Sequence, residues 1–136
     1  MEAQNAEVAD AIRAGSFAAV PTTNPGSLLA KIDDSKLFTG REEVVFCYAY
    51  EIQKGDEAVG ALWIDGHNVV HAVFLDGLVG KAALLNAILD RHPYSWLYIP
   101  EQYRTVARWF VREVRFWPLY MAVTGDKQYQ IVLRRN

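Results

Sequence analysis

The chain contains one cysteine, Cys47, so it cannot close an internal disulfide. This fits a reducing compartment and leaves no CxxC pair for a metal or for thiol chemistry. Histidines are also few, and His67, His71 and His92 show no metal-ligand spacing. No apolar run approaches the roughly 20 residues that span a bilayer. The start, Met1-Glu2-Ala3-Gln4-Asn5, has neither the basic cluster nor the following apolar stretch of a signal peptide. A cytosolic setting is therefore expected. Excess positive charge is lacking too: the net charge of −2 argues against a protein that holds nucleic acid through a basic surface. There is no Walker loop, no dinucleotide fingerprint and no Gly-x-Ser-x-Gly elbow.

What is present is a sequence rich enough in apolar residues to fold. At 51% hydrophobic and 12% aromatic, the 136 residues read as one domain with a core, not as a disordered tail. Ala6 to Ala14 reads as a short helix between Asn5 as N-cap and Gly15 as stop, and a loop continues through Pro21 to Gly26. Ser27 would cap a second short helix carrying Leu28, Leu29 and Ile32. Glu43 to Gln53, Ala58 to Ile64 and Val69 to Leu75 are rich in β-branched and aromatic residues. Lys54-Gly55-Asp56 and Asp65-Gly66-His67-Asn68 separate them, which predicts an antiparallel meander.

From Val79 to Arg91 the apolar period becomes helical, and His92-Pro93 ends it. Ser95 to Ile99 reads as a strand and Gln102 to Val114 as a helix. Phe116 to Val123 and Gln128 to Leu133 read as a closing hairpin. The order predicts an α+β fold: a mixed, mostly antiparallel sheet covered by helices, in a single domain over residues 1–136.

From its second strand onward this order resembles the GNAT superfamily of acetyl-CoA-dependent N-acetyltransferases. In that family a strand runs into a loop and helix start whose backbone amides hold the pyrophosphate of coenzyme A, as unpaired amides at a helix N-terminus do for anions generally. Here Val69 to Leu75 would be the strand and Gly77-Leu78-Val79-Gly80-Lys81-Ala82 the loop. Gly80 and Ala82 match the family's Gln/Arg-x-x-Gly-x-Gly/Ala pattern, and Gly77 replaces its polar first residue. Ala107 and Phe116 fit a second landmark. At that landmark Arg104 stands for the usual asparagine, Val111 for the frequent acid tyrosine and Arg115 for glycine.

Among such proteins the texture of Pro93-Tyr94-Ser95-Trp96-Leu97-Tyr98, an Arg-Phe-containing helix and the Gly125 to Gln130 hairpin is similar to small phage-encoded members, including internal virion and head-assembly proteins. The first 40 residues, with two helices and no clear first strand, depart from the pattern.

The resemblance implies acetyl-CoA as cofactor, with Leu78, Val79, Gly80, Lys81 and Ala82 around its phosphates. Lys81 and Arg104 would add cationic contacts. Acetyl transfer needs a base for the substrate ammonium and an acid for the leaving thiolate. His71 is the first candidate base because imidazole titrates near neutrality, and Glu51 on the neighbouring strand is the second. Tyr98 and Tyr120 are candidate acids. A half-buried strand histidine, a solvated carboxylate and packed tyrosines account for the same residues without catalysis.

Arg104, Arg108 and Arg112 form one helical stripe, either a solvated face or an anion contact. From Glu101 onward seven cationic residues face three acidic ones, a local +4 that leaves −6 for the rest. Any of Trp63, Trp96, Trp109 and Trp117 left exposed would indicate a protein interface.

Three functional expectations follow. The first is a catalytically degenerate scaffold with a virion-structural or host-protein-binding role, in the host cytoplasm or the virion. The second is an active N-acetyltransferase. An adaptor unrelated to the family is a third.

Overall fold

A computed structural model describes residues 10–22, 46–123, 125 and 128–136. The expected helix from Ser27 and residues 43–45 of the next expected strand lie outside these. Where Ala6 to Ala14 suggests a helix, the described part is a strand, β1 (Ile12–Ala14), hairpinned to β2 (Phe17–Pro21). Gly15, read as a helix stop, has φ +60 and is the first residue of a two-residue turn. The same left-handed glycine serves either end, and the ladder decides between them. Ile12 faces Ala19, and Ala19 pairs with Ile52 on β3 (Phe46–Lys54), all three in the core. A strand pair thus precedes the meander after all.

β3, β4 (Glu57–Asp65) and β5 (Val70–Phe74) form the predicted antiparallel meander, and apart from the start of β3 their bounds lie within about two residues of those expected. With β1 and β2 they make a five-stranded sheet in chain order. Gly60 is fixed in β4 by contact: a Cβ there would lie 2.6 Å from the Val73 carbonyl oxygen on β5. Helix α1 (Ala82–Leu89) then crosses the sheet, and strand β6 (Trp96–Pro100) starts a second one. A 3₁₀ turn, Glu101–Tyr103, leads into α2 (Arg104–Glu113), followed by β7 (Phe116–Val123) and β8 (Tyr129–Arg135). The smaller sheet is antiparallel with order β6-β8-β7. The mixed character comes from one parallel bridge, Val69 to Trp96, reinforced by the Trp96 amide donating to the Asn68 carbonyl at 2.9 Å.

Both helices pack on one face of the two sheets. Leu84, Leu85, Ile88 and Leu89 of α1 are fully buried, each stabilising by about 1.5–3 kcal/mol on leaving water. They meet Ile52, Leu62, Ile64 and Val70, with Leu97, Ile99, Phe110, Phe116 and Leu133 extending the same core. Buried Arg135 ties the layers together, donating to the Val114 carbonyl at 3.0 Å and to Asp90 at 2.8 Å. Arg115, standing where the resemblance places glycine, keeps glycine's conformation with φ 60. Tyr103, which falls within the span read as helix, ends the 3₁₀ turn and is exposed.

His92 is buried under this frame. Its Nε2 lies 2.7 Å from the Tyr50 hydroxyl and its ring 4.5 Å from that of Tyr48. Burial, assisted by the Arg91 charge, holds its pKa below the ordinary histidine value. The folded state therefore resists a proton that the unfolded chain accepts near pH 6.5. That contribution to stability is present above about pH 6.5 and is lost as pH falls toward the depressed folded value. Thermal melts should show Tm dropping from pH 7.5 to 5, with a smaller drop for His92→Gln, which keeps a partner for Tyr50. Equal drops in the two proteins would show that His92 is not the group responsible.

Candidate functional site

Strands β5 and β6 meet only at the Val69–Trp96 bridge. From there toward Phe74 and Pro100 no backbone hydrogen bond joins them, so a V opens between the two sheets. Val70, Ala72 and Phe74 face the helices, as do Leu97 and Ile99. Strand alternation sends His71 and Tyr98 to the other face. Each stands two residues beyond the bridge, on opposite walls of the V. Tyr120 joins them through the register of the small sheet, because Tyr98 pairs with Val132 and Val132 with Tyr120. Glu51 does not: it pairs with Ala61, which pairs with Val73, two strands from the opening, and its carboxylate accepts from Gln53 at 3.0 Å.

Two side chains hold His71. Its Nε2 lies 2.8 Å from Asp65 Oδ2, and its ring stacks on that of buried Trp63 with centroids 5.8 Å apart at 10°. Asp65 is itself fixed, since its Oδ1 accepts from the amides of His67 at 2.7 Å and Val69 at 3.1 Å. Burial acts to raise the Asp65 pKa, but the hydrogen bonds from His71, Val69 and His67 outweigh it and hold the carboxyl below its usual value. An ionised carboxylate only accepts, so His71 Nε2 carries the hydrogen of this bond. Asp65 escapes a sequence reading because it looks like the opening residue of a turn. The one available signal is Asp65-Gly66-x-Asn68, an Asx turn that brings positions 65 and 71 together across a hairpin.

On the opposite wall burial first, then the negative fields of Tyr120 and Asp65, push the Tyr98 hydroxyl above its ordinary pKa. Tyr98 is thus a protonated donor at neutral pH, and it lies within electrostatic reach of both groups.

β5 ends at Phe74, at the open end of the V, and the chain then turns through residues 75–81 into α1. Gly77 and Gly80 have φ +81 and +82, and a Cβ at Gly80 would come no nearer than 3.5 Å to Phe17. This turn delays α1 to Ala82, three residues after the predicted start at Val79. Within the turn the Lys81 amide donates to the Leu78 carbonyl at 3.1 Å. The amides of Leu78, Val79, Gly80, Ala82 and Ala83 have no acceptor among the described residues, and Val79, Gly80 and Ala83 are exposed. Leu85 is the first residue of α1 to donate backward, to Lys81. The result is a run of unpaired donors at a helix N-terminus, interrupted by Lys81 and carried largely on exposed residues, the kind of arrangement that receives anions.

The Lys81 ammonium, expected on a phosphate, is turned inward instead. Its side chain is fully buried, bonded to Asp76 Oδ1 at 2.6 Å and to the Gly77 carbonyl at 2.5 Å, with Nζ 4.6 Å from the centre of the Phe17 ring. It braces the loop from beneath and compensates Asp76. Arg104 is exposed at the start of α2 and paired with Glu101 at 3.0 Å, and among the described residues no contact joins it to the loop. Arg108 and Arg112 are likewise exposed, the solvated face of α2.

A hollow lined by Asp90, Val111, Arg115, Phe116, Trp117 and Arg135 lies at the far end of α2 and contains none of these candidates. Among the described residues no group of three or more His, Cys, Asp or Glu is placed to hold a metal ion, and no helix is long and apolar enough to cross a membrane.

A crystal structure of a probable acetyltransferase of the GNAT family from Chromobacterium violaceum ATCC 12472 superimposes on the chain with a TM-score of 0.60. The match covers 91% of this chain and 89% of that one, at 16% sequence identity. The chain has the GNAT fold. No protein-family model matches it, and no curated protein matches it in sequence. The first hairpin supplies the strand that the sequence seemed to lack.

Proposed function

We propose that the protein is an acetyl-CoA-dependent N-acetyltransferase acting on a primary amine. One observation carries this reading: the unpaired amides of residues 78–80, 82 and 83 at the start of α1, three of them on exposed residues, next to the opening between β5 and β6. Acetyl-CoA brings an acyl group activated as a thioester, with a diphosphate that matches those donors. The residues named do the rest. Amides 78–80, 82 and 83 receive the diphosphate, and Lys81 holds the loop in the conformation that presents them.

On the walls of the V, His71 takes the proton that an ammonium must lose before its nitrogen can attack, and Asp65 fixes the ring and balances the imidazolium that forms. Attack forms the C–N bond and breaks C–S, and Tyr98, kept protonated, supplies the proton to the departing sulfur. Tyr120, half-exposed beside it, is the alternative donor.

The scaffold reading draws on Gly77, Arg104, Val111 and Arg115, the positions that depart from the superfamily's pattern. Nothing in the fold speaks for a virion role. Isothermal titration separates the two readings. Coenzyme A and acetyl-CoA should bind with micromolar Kd, and thiol release should follow on adding amines. Millimolar affinity or none would overturn the transferase and leave the scaffold.

A further inference from the structure

The two outer strand edges of this molecule are built differently. β1 closes the larger sheet with three residues and carries Arg13, a short charged edge of the kind that resists pairing with another chain. β7 closes the smaller sheet with eight residues, Phe116–Val123, and none is charged. One side of β7 is laddered to β8, and the other has no strand beside it among the described residues.

Its side chains are unusually bare. Trp117 is 61% exposed, Leu119 48%, Tyr120 54%, Met121 47% and Val123 58%, with Tyr129 on β8, opposite Val123, at 53%. Among the described residues the other exposed large apolar side chains, Tyr48, Leu75, Val79, Tyr94 and Tyr103, lie on separate loops and elements, whereas these six share one hairpin. A large aromatic side chain covers about 150–250 Å², so these three aromatics and three smaller apolar side chains, all near half exposure, leave on the order of 500 Å² of apolar surface along the strand. Together with the strand's own backbone edge it approaches the roughly 800 Å² that each partner contributes to a standard interface.

The features of the strand also select the occupant. Pro118 lacks a donor and a bulge separates it from Tyr120, but from Tyr120 to Val123 the register with β8 is regular, leaving a straight run for one more strand. A second β7 meets that run antiparallel about a two-fold axis with no like charges opposed, and apolar side chains line both sides. A charged partner strand would find no complementary charge on it.

We propose that β7 is the dimer interface of this protein, two copies pairing β7 edge to edge so that their small sheets become continuous. The inference stands apart from the proposed catalysis, although Tyr120 belongs to both surfaces and would lose its exposure in the dimer.

Sedimentation velocity at micromolar concentration should give twice the 15.4 kDa chain mass. With the two-fold axis at Met121, Met121→Lys places a charge against its own image and Leu119→Lys places one in the apolar seam, and each should sediment as a monomer with unchanged circular dichroism. A Met121→Cys chain carrying Cys47→Ser should form an intermolecular disulfide on mild oxidation, which tests the pairing without a charged variant. A monomeric wild type, a dimer that survives both lysine substitutions, or a dimer whose cysteine at 121 fails to cross-link would each overturn the proposal.

Discussion

Gly80→Asp should weaken acetyl-CoA binding at least about 100-fold, equivalent to about 2.7 kcal/mol, while Gly80→Asn loses much less. The pair is chosen because the two side chains have the same shape and both tolerate the left-handed backbone that Gly80 adopts at φ +82. Steric cost is also shared, since a Cβ at this position meets only Phe17 at an ordinary 3.5 Å. What differs is charge. A carboxylate here lies beside the unpaired amides of Ala82 and Ala83, so it competes for the donors that the diphosphate needs. It also repels whatever phosphate approaches, by about 1–4 kcal/mol per charge pair at 4 Å between bulk water and a protein surface. Lys81 cannot rescue binding from below, because Asp76 and the Gly77 carbonyl hold its ammonium. Titration calorimetry with circular dichroism on both variants decides the matter. Equal affinities for the Asp and Asn proteins would remove the diphosphate from this loop.

The sequence reveals this region unevenly, for physical reasons. The meander from β3 to β5 is legible because period-two patterning and the turns at Gly55 and at Asp65 to Asn68 agree with each other. The loop is legible as a position, Gly80 and Ala82 between an expected strand and an expected helix, but its amides are not, since a donor is free only if nothing folds back onto it. The Lys81 brace is hidden because a lysine in a first turn normally reaches solvent. Its burial depends on Phe17 and Phe74, from strands 64 and 7 positions upstream. The first hairpin is hidden because Ala18 and Ala19 carry little strand preference, and their ladder to Gln53 and Ile52 is a long-range event. The meeting of His71 with Tyr98 and Tyr120 depends on three registers, one parallel and two antiparallel, and no local pattern encodes any of them.

His71→Gln should lower kcat by about 10²–10⁴, the range that a positioned base supplies, and leave the affinity for acetyl-CoA as it was. Glutamine keeps a donor for Asp65 and most of the ring's volume but cannot take a proton. The loss therefore reports proton transfer and not packing. Asp65→Asn probes the positioning of that ring. Its Oδ1 can still accept from the amides of His67 and Val69, so the turn survives. Its Nδ2 then faces His71 Nε2, donor against donor, and the imidazole must move its proton to Nδ1 to recover the bond. An inverted tautomer can no longer offer Nδ1 as the acceptor. Asp65→Asn should therefore follow His71→Gln in losing kcat, with KM for acetyl-CoA unmoved, even though Asp65 need never touch a substrate. If His71→Gln turned over at the wild-type rate, the base would have to be sought elsewhere, and Asp65, His71 and Trp63 would be a structural stack on the wall of the cleft.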